Sequence, residues 1–265
     1  MLIDGHTHIV SEESPWSQYV SGPMEALLRQ MDTACIEKAV VLPLEPWVST
    51  SSVAEACKAH PDRLIGFASI HFTPENVSTG DLGDLFEKQV NDFGFRGLKL
   101  YPRMQCISLR SSLIYPLFSK AAELEMPVIV DFGTFGGSAI PLEEVMPLNI
   151  DRIAVAIPEA TIIMAHMGGH RVFDAFAVAR SHKKVFLDVS GLPDMFAGSS
   201  LEMDMRWVVK RCPDRVIWGS DFPDPSSTLK DKLEQWKGIC EELELSKEDT
   251  DLVFGGTISK ILRLS

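Results

Sequence analysis

The stretch Leu2-Ile3-Asp4-Gly5-His6-Thr7-His8-Ile9 reads as an apolar strand that ends in His-x-His. Side chains alternate faces along a strand, so Asp4, His6 and His8 are expected on one face and Ile3, Gly5 and Thr7 on the other. Two imidazoles pointing the same way at a strand's end, above a carboxylate, suit zinc or a similar metal. The stretch also bears on topology. An open, doubly wound sheet usually carries a Gly-rich phosphate turn after its first strand, and Gly5-His6-Thr7-His8 is no such turn.

Seven further apolar or β-branched runs follow at Ala39–Leu44, Leu64–Ile70, Gly97–Tyr101, Pro127–Val130, Thr161–Ala165, Val185–Val189 and Arg215–Trp218. Amphipathic stretches lie between and after them, at Met24–Ile36, Ser51–Ala59, Asp81–Phe93, Leu113–Glu125, Leu142–Ala156, Val172–Ser181, Leu201–Arg211 and Thr228–Glu242. Strands alternating with helices imply βα units and a parallel sheet. Eight units in 265 residues predict one domain, 1–265, closed into a (β/α)8 TIM barrel, an architecture that typically takes about 250 residues. Val253–Leu264 reads as a last short helix packing on the barrel.

The formal charge is −12 and no basic cluster is present, which argues against nucleic acid or an anionic membrane as partner. A small-molecule substrate is expected instead, with a homodimer as the candidate assembly. No basic segment precedes an apolar core at the N-terminus, and no apolar run approaches the ~20 residues of a membrane span, so a cytoplasmic protein is expected. Five cysteines with no C-x-x-C pair argue against a disulfide framework or a cysteine zinc module. They are expected to be small buried hydrophobes.

In such barrels the chemistry sits at the C-terminal ends of the strands. Those ends carry His8, Glu45, His71, Lys99 with Tyr101, Asp131, His166, Asp188 with Ser190, and Asp221. Parity places Asp131 with Ile129, His166 with Met164 and Ile162, and Asp221 with Gly219 and Ile217, where Gly219 would leave space beneath a metal. Val10 to Pro23 is a polar loop whose Trp16 and Tyr19 are positioned to cover the site. Glu45 reads equally well as a solvated loop carboxylate, and His71 as a strand cap. For His60, His170 and His182, in helix ends or loops, an ordinary structural role is expected.

Four segments, Ile3-Asp4-Gly5-His6-Thr7-His8, Gly97-Leu98-Lys99-Leu100, Ile162-Ile163-Met164-Ala165-His166-Met167-Gly168-Gly169 and Trp218-Gly219-Ser220-Asp221-Phe222-Pro223, resemble the amidohydrolase-related family of metal-dependent barrel hydrolases. The resembling branch also contains aminocarboxymuconate-semialdehyde decarboxylase and related carboxy-lyases. The resemblance implies His6 and His8 as metal ligands, Asp221 as ligand or proton acceptor, and His166 as ligand or catalytic acid/base. Asp131 stands where the family commonly has a metal-binding histidine. A carboxylate there is expected to act as the replacement ligand, permitting zinc while shifting preference toward manganese or magnesium.

One divalent ion, zinc or else manganese, and metal-assisted hydrolysis of an amide, ester or lactone carbonyl are therefore expected, with Asp221 or His166 moving the proton. Lys99 is expected unmodified beside a single metal, and Asp4 is a candidate to orient His6. Lys99, Tyr101, Arg103, His71 and Arg171 are the candidate substrate contacts, the arginines suiting a carboxylate. The alternatives are a non-oxidative decarboxylase of a small aromatic or unsaturated acid and a non-catalytic metal- or ligand-binding barrel.

Overall fold

The apolar runs pair as parallel strands in the computed structural model of the chain, which describes residues 1–18, 21–133 and 140–264. The strands are β1 (Ile3–Thr7), β2 (Lys38–Val41), β3 (Leu64–Gly66), β4 (Ala68–Ser69), β5 (Leu98–Leu100), β6 (Pro127–Val130), β7 (Thr161–Met164), β8 (Val185–Asp188) and β9 (Val216–Ile217). β3 and β4 are two halves of one barrel strand interrupted at Phe67. The ladder runs through the break, because Phe67 N–H donates to Val41 O (3.1 Å) and Ala68 N–H to Gly97 O (2.8 Å). The order is sequential, β1-β2-β3 and then β4 through β9. The ring closes where Gly5 N–H donates to Trp218 O (3.0 Å), Asp221 N–H donates to His6 O (2.9 Å), and Thr7 bridges Phe222. The result is the predicted (β/α)8 barrel.

The helices are α1 (Met24–Ala34), α2 (Thr50–Ala59), α3 (Pro74–Thr79), α4 (Leu82–Phe93), α5 (Tyr115–Glu123), α6 (Leu148–Ala156), α7 (Val172–Ser181), α8 (Ser200–Arg211), α9 (Leu229–Glu242), α10 (Lys247–Asp251) and α11 (Thr257–Leu262). The short α3 and α10 lie outside the predicted helices, because they carry too few apolar residues to show a stripe in the sequence. α3 rests on a capping box between Thr73 and Asn76. Among the described residues, no helix is long and apolar enough to cross a membrane.

Alternation sorts the strand residues. Val40, Leu42, Ile129, Ile163 and Ile217 fill the barrel, while Ala39, Val41, Val128, Val130 and Leu187 pack toward the helices. α11 adds Ile258 and Leu262 to the interior cluster beside Ile3 and Ile65, stoppering the end away from the strand C-termini. Each fully buried aliphatic there contributes about 1.5–3 kcal/mol relative to exposure. Cys212 and Cys240 are buried, as expected, but Cys35 and Cys106 are exposed, because both sit in left-handed turns at the surface.

β1 departs from simple alternation. Asp4 aligns with Ala39 yet Thr7 with Val41, three steps against two, so the strand carries a bulge. Ile3 can therefore join the interior cluster while His6 still faces the barrel top. Asp4 does not share the histidines' face, contrary to the strict period of two. Its Oδ1 accepts from the backbone N–H of His6 (3.2 Å) and of Ser220 (2.9 Å).

A Cβ on Gly219 would lie 2.7 Å from His6 Cβ and 2.9 Å from His6 N. The glycine makes room for His6 itself, rather than for an ion beneath it. Gly219→Ala is expected to destabilise the protein by about 1–3 kcal/mol by overpacking, and to weaken divalent-metal affinity by displacing His6. Thermal denaturation with and without zinc checks both.

Candidate metal centre

His6 and His8 reach the barrel mouth from the end of β1, and each has one ring nitrogen committed. His8 Nδ1 lies 2.8 Å from Leu42 O, which can only accept, so Nδ1 carries the hydrogen and Nε2 keeps its lone pair. His6 Nδ1 makes a short hydrogen bond with the Asp188 carboxylate and lies 3.0 Å from Ser190 Oγ. Its Nε2 is again the acceptor, with Lys99 Nζ 3.3 Å away. Asp221 Oδ1 lies 3.7 Å from His6 Nε2 and 3.6 Å from His8 Nε2. One ligand atom from each residue falls within 4.8 Å of the other two. Two neutral imidazoles and a carboxylate with converging lone pairs fit a catalytic zinc or similar ion, which takes three protein ligands and keeps a position open.

The protonation pattern suits that set. Burial and the Lys99 charge push His6 well below its ordinary range, and burial pushes His8 down to about 4 against the pull of Asp221. Both are neutral, as ligands must be. Burial raises Asp221, but its histidine neighbours, the charged His166 foremost, outweigh it and hold its carboxyl below the usual range.

His166 is built differently. Ile163 and Ala165 of its strand face the barrel interior, while Ile162 and Met164 face the helices, so alternation would send His166 outward. The backbone instead turns left-handed at His166 (φ 52°), which swings the imidazole inward. Asp221 is also left-handed (φ 59°). Such conformations cost of order 1–3 kcal/mol each and gather at functional sites. The left-handed turn, and not a face shared with Met164 and Ile162, brings His166 inward.

Once inward, His166 presents Nδ1 to Ser190 O (2.8 Å) and Nε2 to Asp131 Oδ2 (3.0 Å). Both partners accept, so both ring nitrogens donate and the ring is an imidazolium with no lone pair for a metal. Burial opposes that charge, but the Asp131 charge and hydrogen bond raise His166 to about 10. Burial would raise Asp131 too; Lys99, His166 and the Gly133 N–H (2.7 Å) outweigh it and hold the carboxyl well below the usual range. Lys99 Nζ completes the group at 3.4 Å from Asp131 Oδ2. The expected ligands Asp131 and His166 are thus paired with each other, outside the His6, His8 and Asp221 cluster.

A pH dependence follows. The folded-state pKa of His166 lies above its ordinary 6.5, so its contribution is fully present below about 6.5 and is lost as pH rises through about 10. Asp131, depressed, contributes above its ordinary 3.8 and loses that only in acid. Stability of metal-free protein is expected to fall between pH 7 and 10. The fall should be much reduced in His166→Asn when the two proteins are unfolded by urea across that range.

Asp188 and Ser190, at the end of β8, tie the two inward histidines together. Ser190 Oγ lies 3.0 Å from His6 Nδ1, 3.2 Å from His166 Nδ1 and 3.1 Å from Asp188 Oδ2, and Ser190 N–H donates to Asp188 Oδ1 (2.6 Å). Asp188, not Asp4, orients the His6 imidazole. Asp188→Asn is expected to weaken metal affinity about 10–100-fold, while Asp4→Asn, whose carboxyl burial already pushes up to about 7, should leave it within a few-fold. Titration with a metal indicator distinguishes them.

The candidate substrate contacts divide. Lys99 Nζ sits 5.5 Å from the Tyr101 ring centroid. Burial, then Asp131 and Asp221, raise the Tyr101 hydroxyl well above its ordinary range, and Arg103 opposes them. Gln105 braces this turn, accepting from Tyr101 N–H (2.6 Å) and donating to Ile70 O (2.6 Å). Arg171 instead turns along its own helix to Asp174 (Nε to Oδ2 2.6 Å), and His71 is exposed, its carbonyl accepting from Asn76 Nδ2 (2.7 Å). Glu45 accepts from Thr50 N–H at the start of α2 (2.7 Å). Tyr19 and the side chain of Trp16 lie outside the described residues.

The (β/α)8 barrel thus gathers two histidines and an aspartate, a candidate metal centre, at the strand C-termini where such barrels carry their chemistry. The chain belongs to the amidohydrolase family, whose description matches residues 3–264. No curated protein matches it in sequence. Among solved structures it is similar to an uncharacterized TIM-barrel protein from Bordetella bronchiseptica, at 19% identity and TM-score 0.80 over 99% of this chain and 98% of that one. It is also similar to 2,6-dihydroxybenzoate decarboxylase from Rhizobium, at 15% identity and TM-score 0.70 over 99% of each chain. An amidohydrolase from Burkholderia multivorans with bound zinc aligns at 14% identity and TM-score 0.69 over the whole of both chains. These likenesses carry the fold.

Proposed function

We propose that the protein is a metal-dependent hydrolase of a small amide, ester or lactone, holding one divalent ion, zinc by preference, on His6, His8 and Asp221. When bound, such an ion supplies a Lewis acid that polarises the substrate oxygen and acidifies water. The observation that carries the proton assignment is the locked state of His166. With both nitrogens donating it has no lone pair to take a proton, so that task falls to the Asp221 carboxylate, whose side chain is 30% exposed. Asp221 accepts the proton of the attacking water and returns it to the leaving group. The imidazolium of His166 and the ammonium of Lys99 place fixed positive charge where the carbonyl oxygen becomes an anion. Gly191 (φ 69°) keeps the gap between the two working groups open, because a Cβ there would meet Asp221 Oδ2 at 3.2 Å and His166 Nδ1 at 3.5 Å.

The same imidazolium favours the second reading, non-oxidative decarboxylation, since it is a proton donor that a carbanion could use. Zinc-loaded protein offered a panel of lactones, esters, amides and aromatic acids decides between them. Hydrolysis without CO₂ release is the expected result. CO₂ release would make it a carboxy-lyase, and bound zinc without any turnover would make it a binding barrel.

A further inference from the structure

Lys99 is fully buried, and its ammonium lies 3.3 Å from His6 Nε2 and 3.4 Å from Asp131 Oδ2, with the Tyr101 ring nearby. His6 commits Nδ1 to Asp188, so Nε2 offers a single lone pair. That lone pair accepts from Lys99. An imidazole nitrogen has one such site, and a hydrogen-bond donor and a metal ion cannot use it together.

We propose that Lys99 is a built-in competitor for the metal: its ammonium occupies the His6 lone pair in the metal-free protein, and a divalent ion must displace it onto Asp131 to bind. The inference rests on the metal reading above and concerns how that site is filled. An internal cation in this place keeps the buried acceptors satisfied before an ion arrives, since an unpaired buried carboxylate or ring nitrogen is costly. Its positive charge also opposes the incoming ion, so the barrel binds metal less tightly than two histidines and an aspartate alone would. With the ammonium resting on Asp131, a second ion beside the first meets a charge of its own sign.

The test is titration of zinc chloride into chelator-stripped full-length protein, with binding assigned to this site only where His8→Ala abolishes it. Lys99→Met is expected to bind zinc about tenfold more tightly, or more, than wild type, the scale of one removed charge repulsion. It should also melt at a lower temperature without zinc and recover with it. Lys99→Gln, which keeps a donor for Asp131 but no charge, is expected to bind more tightly as well and carries the test should the methionine variant fail to fold. Unchanged or weaker zinc affinity in the variants overturns the proposal, weaker affinity marking Lys99 as a ligand. If wild type binds no zinc but the variants do, competition stands and the metal-hydrolase reading of the native chain falls. If wild type binds zinc and the variants match it, the reading stands and competition falls.

Discussion

Asp221→Asn is expected to lower kcat/KM by about 10²–10⁴-fold, the range for loss of a positioned acid-base group, and to reduce bound metal as well. The residue is asked to do two things. Its Oδ1 is the carboxylate oxygen closest to both Nε2 atoms, at 3.7 and 3.6 Å. It is also the most exposed member of the ligand cluster, at 30% against 0% for His6 and 10% for His8. The left-handed backbone at Asp221 and the N–H it donates to His6 O fix that placement, so asparagine should change the chemistry without moving the chain. Metal content and kcat/KM, measured on one preparation, separate the roles. A variant with full metal and full activity would remove Asp221 from both.

Asp131→Ala is the largest expected effect on stability. It strips Lys99 and His166, both buried, of the carboxylate that neutralises them, and orphaning a buried charged partner costs about 3–5 kcal/mol. Urea denaturation of the metal-free protein reads this directly. Whether Asp131 also touches the ion is settled in a Lys99→Met background, where the ammonium no longer complicates the comparison. There Asp131→Ala should leave zinc affinity unchanged, and a marked fall would restore Asp131 to the ligand set.

These residues show how far the sequence could be followed. The barrel was legible because its strands are apolar runs separated by amphipathic stretches, and that period survives any detail of packing. Asp131 and Lys99 point inward because they lie on a regular strand or its extension, where parity holds. Parity misled at Asp4, where a bulge intervenes, and at His166, where a left-handed turn does the work of alternation. Neither device has a signature in the local sequence. The true partner of His6 is 182 residues away on β8, a separation at which only the closed ring says who meets whom. The roles of Asp131 and His166 likewise depend on a pairing across neighbouring strands, which turns two expected ligands into an ion pair.

The central claim is that one ion sits on His6, His8 and Asp221, and crystallography of zinc-loaded protein across the zinc absorption edge tests it most directly. The predicted result is a single anomalous peak about 2.0–2.2 Å from His6 Nε2, His8 Nε2 and an Asp221 oxygen, with Asp131 still bound to His166. A peak coordinated by Asp131 or His166, a pair of peaks, or none at this site would contradict it.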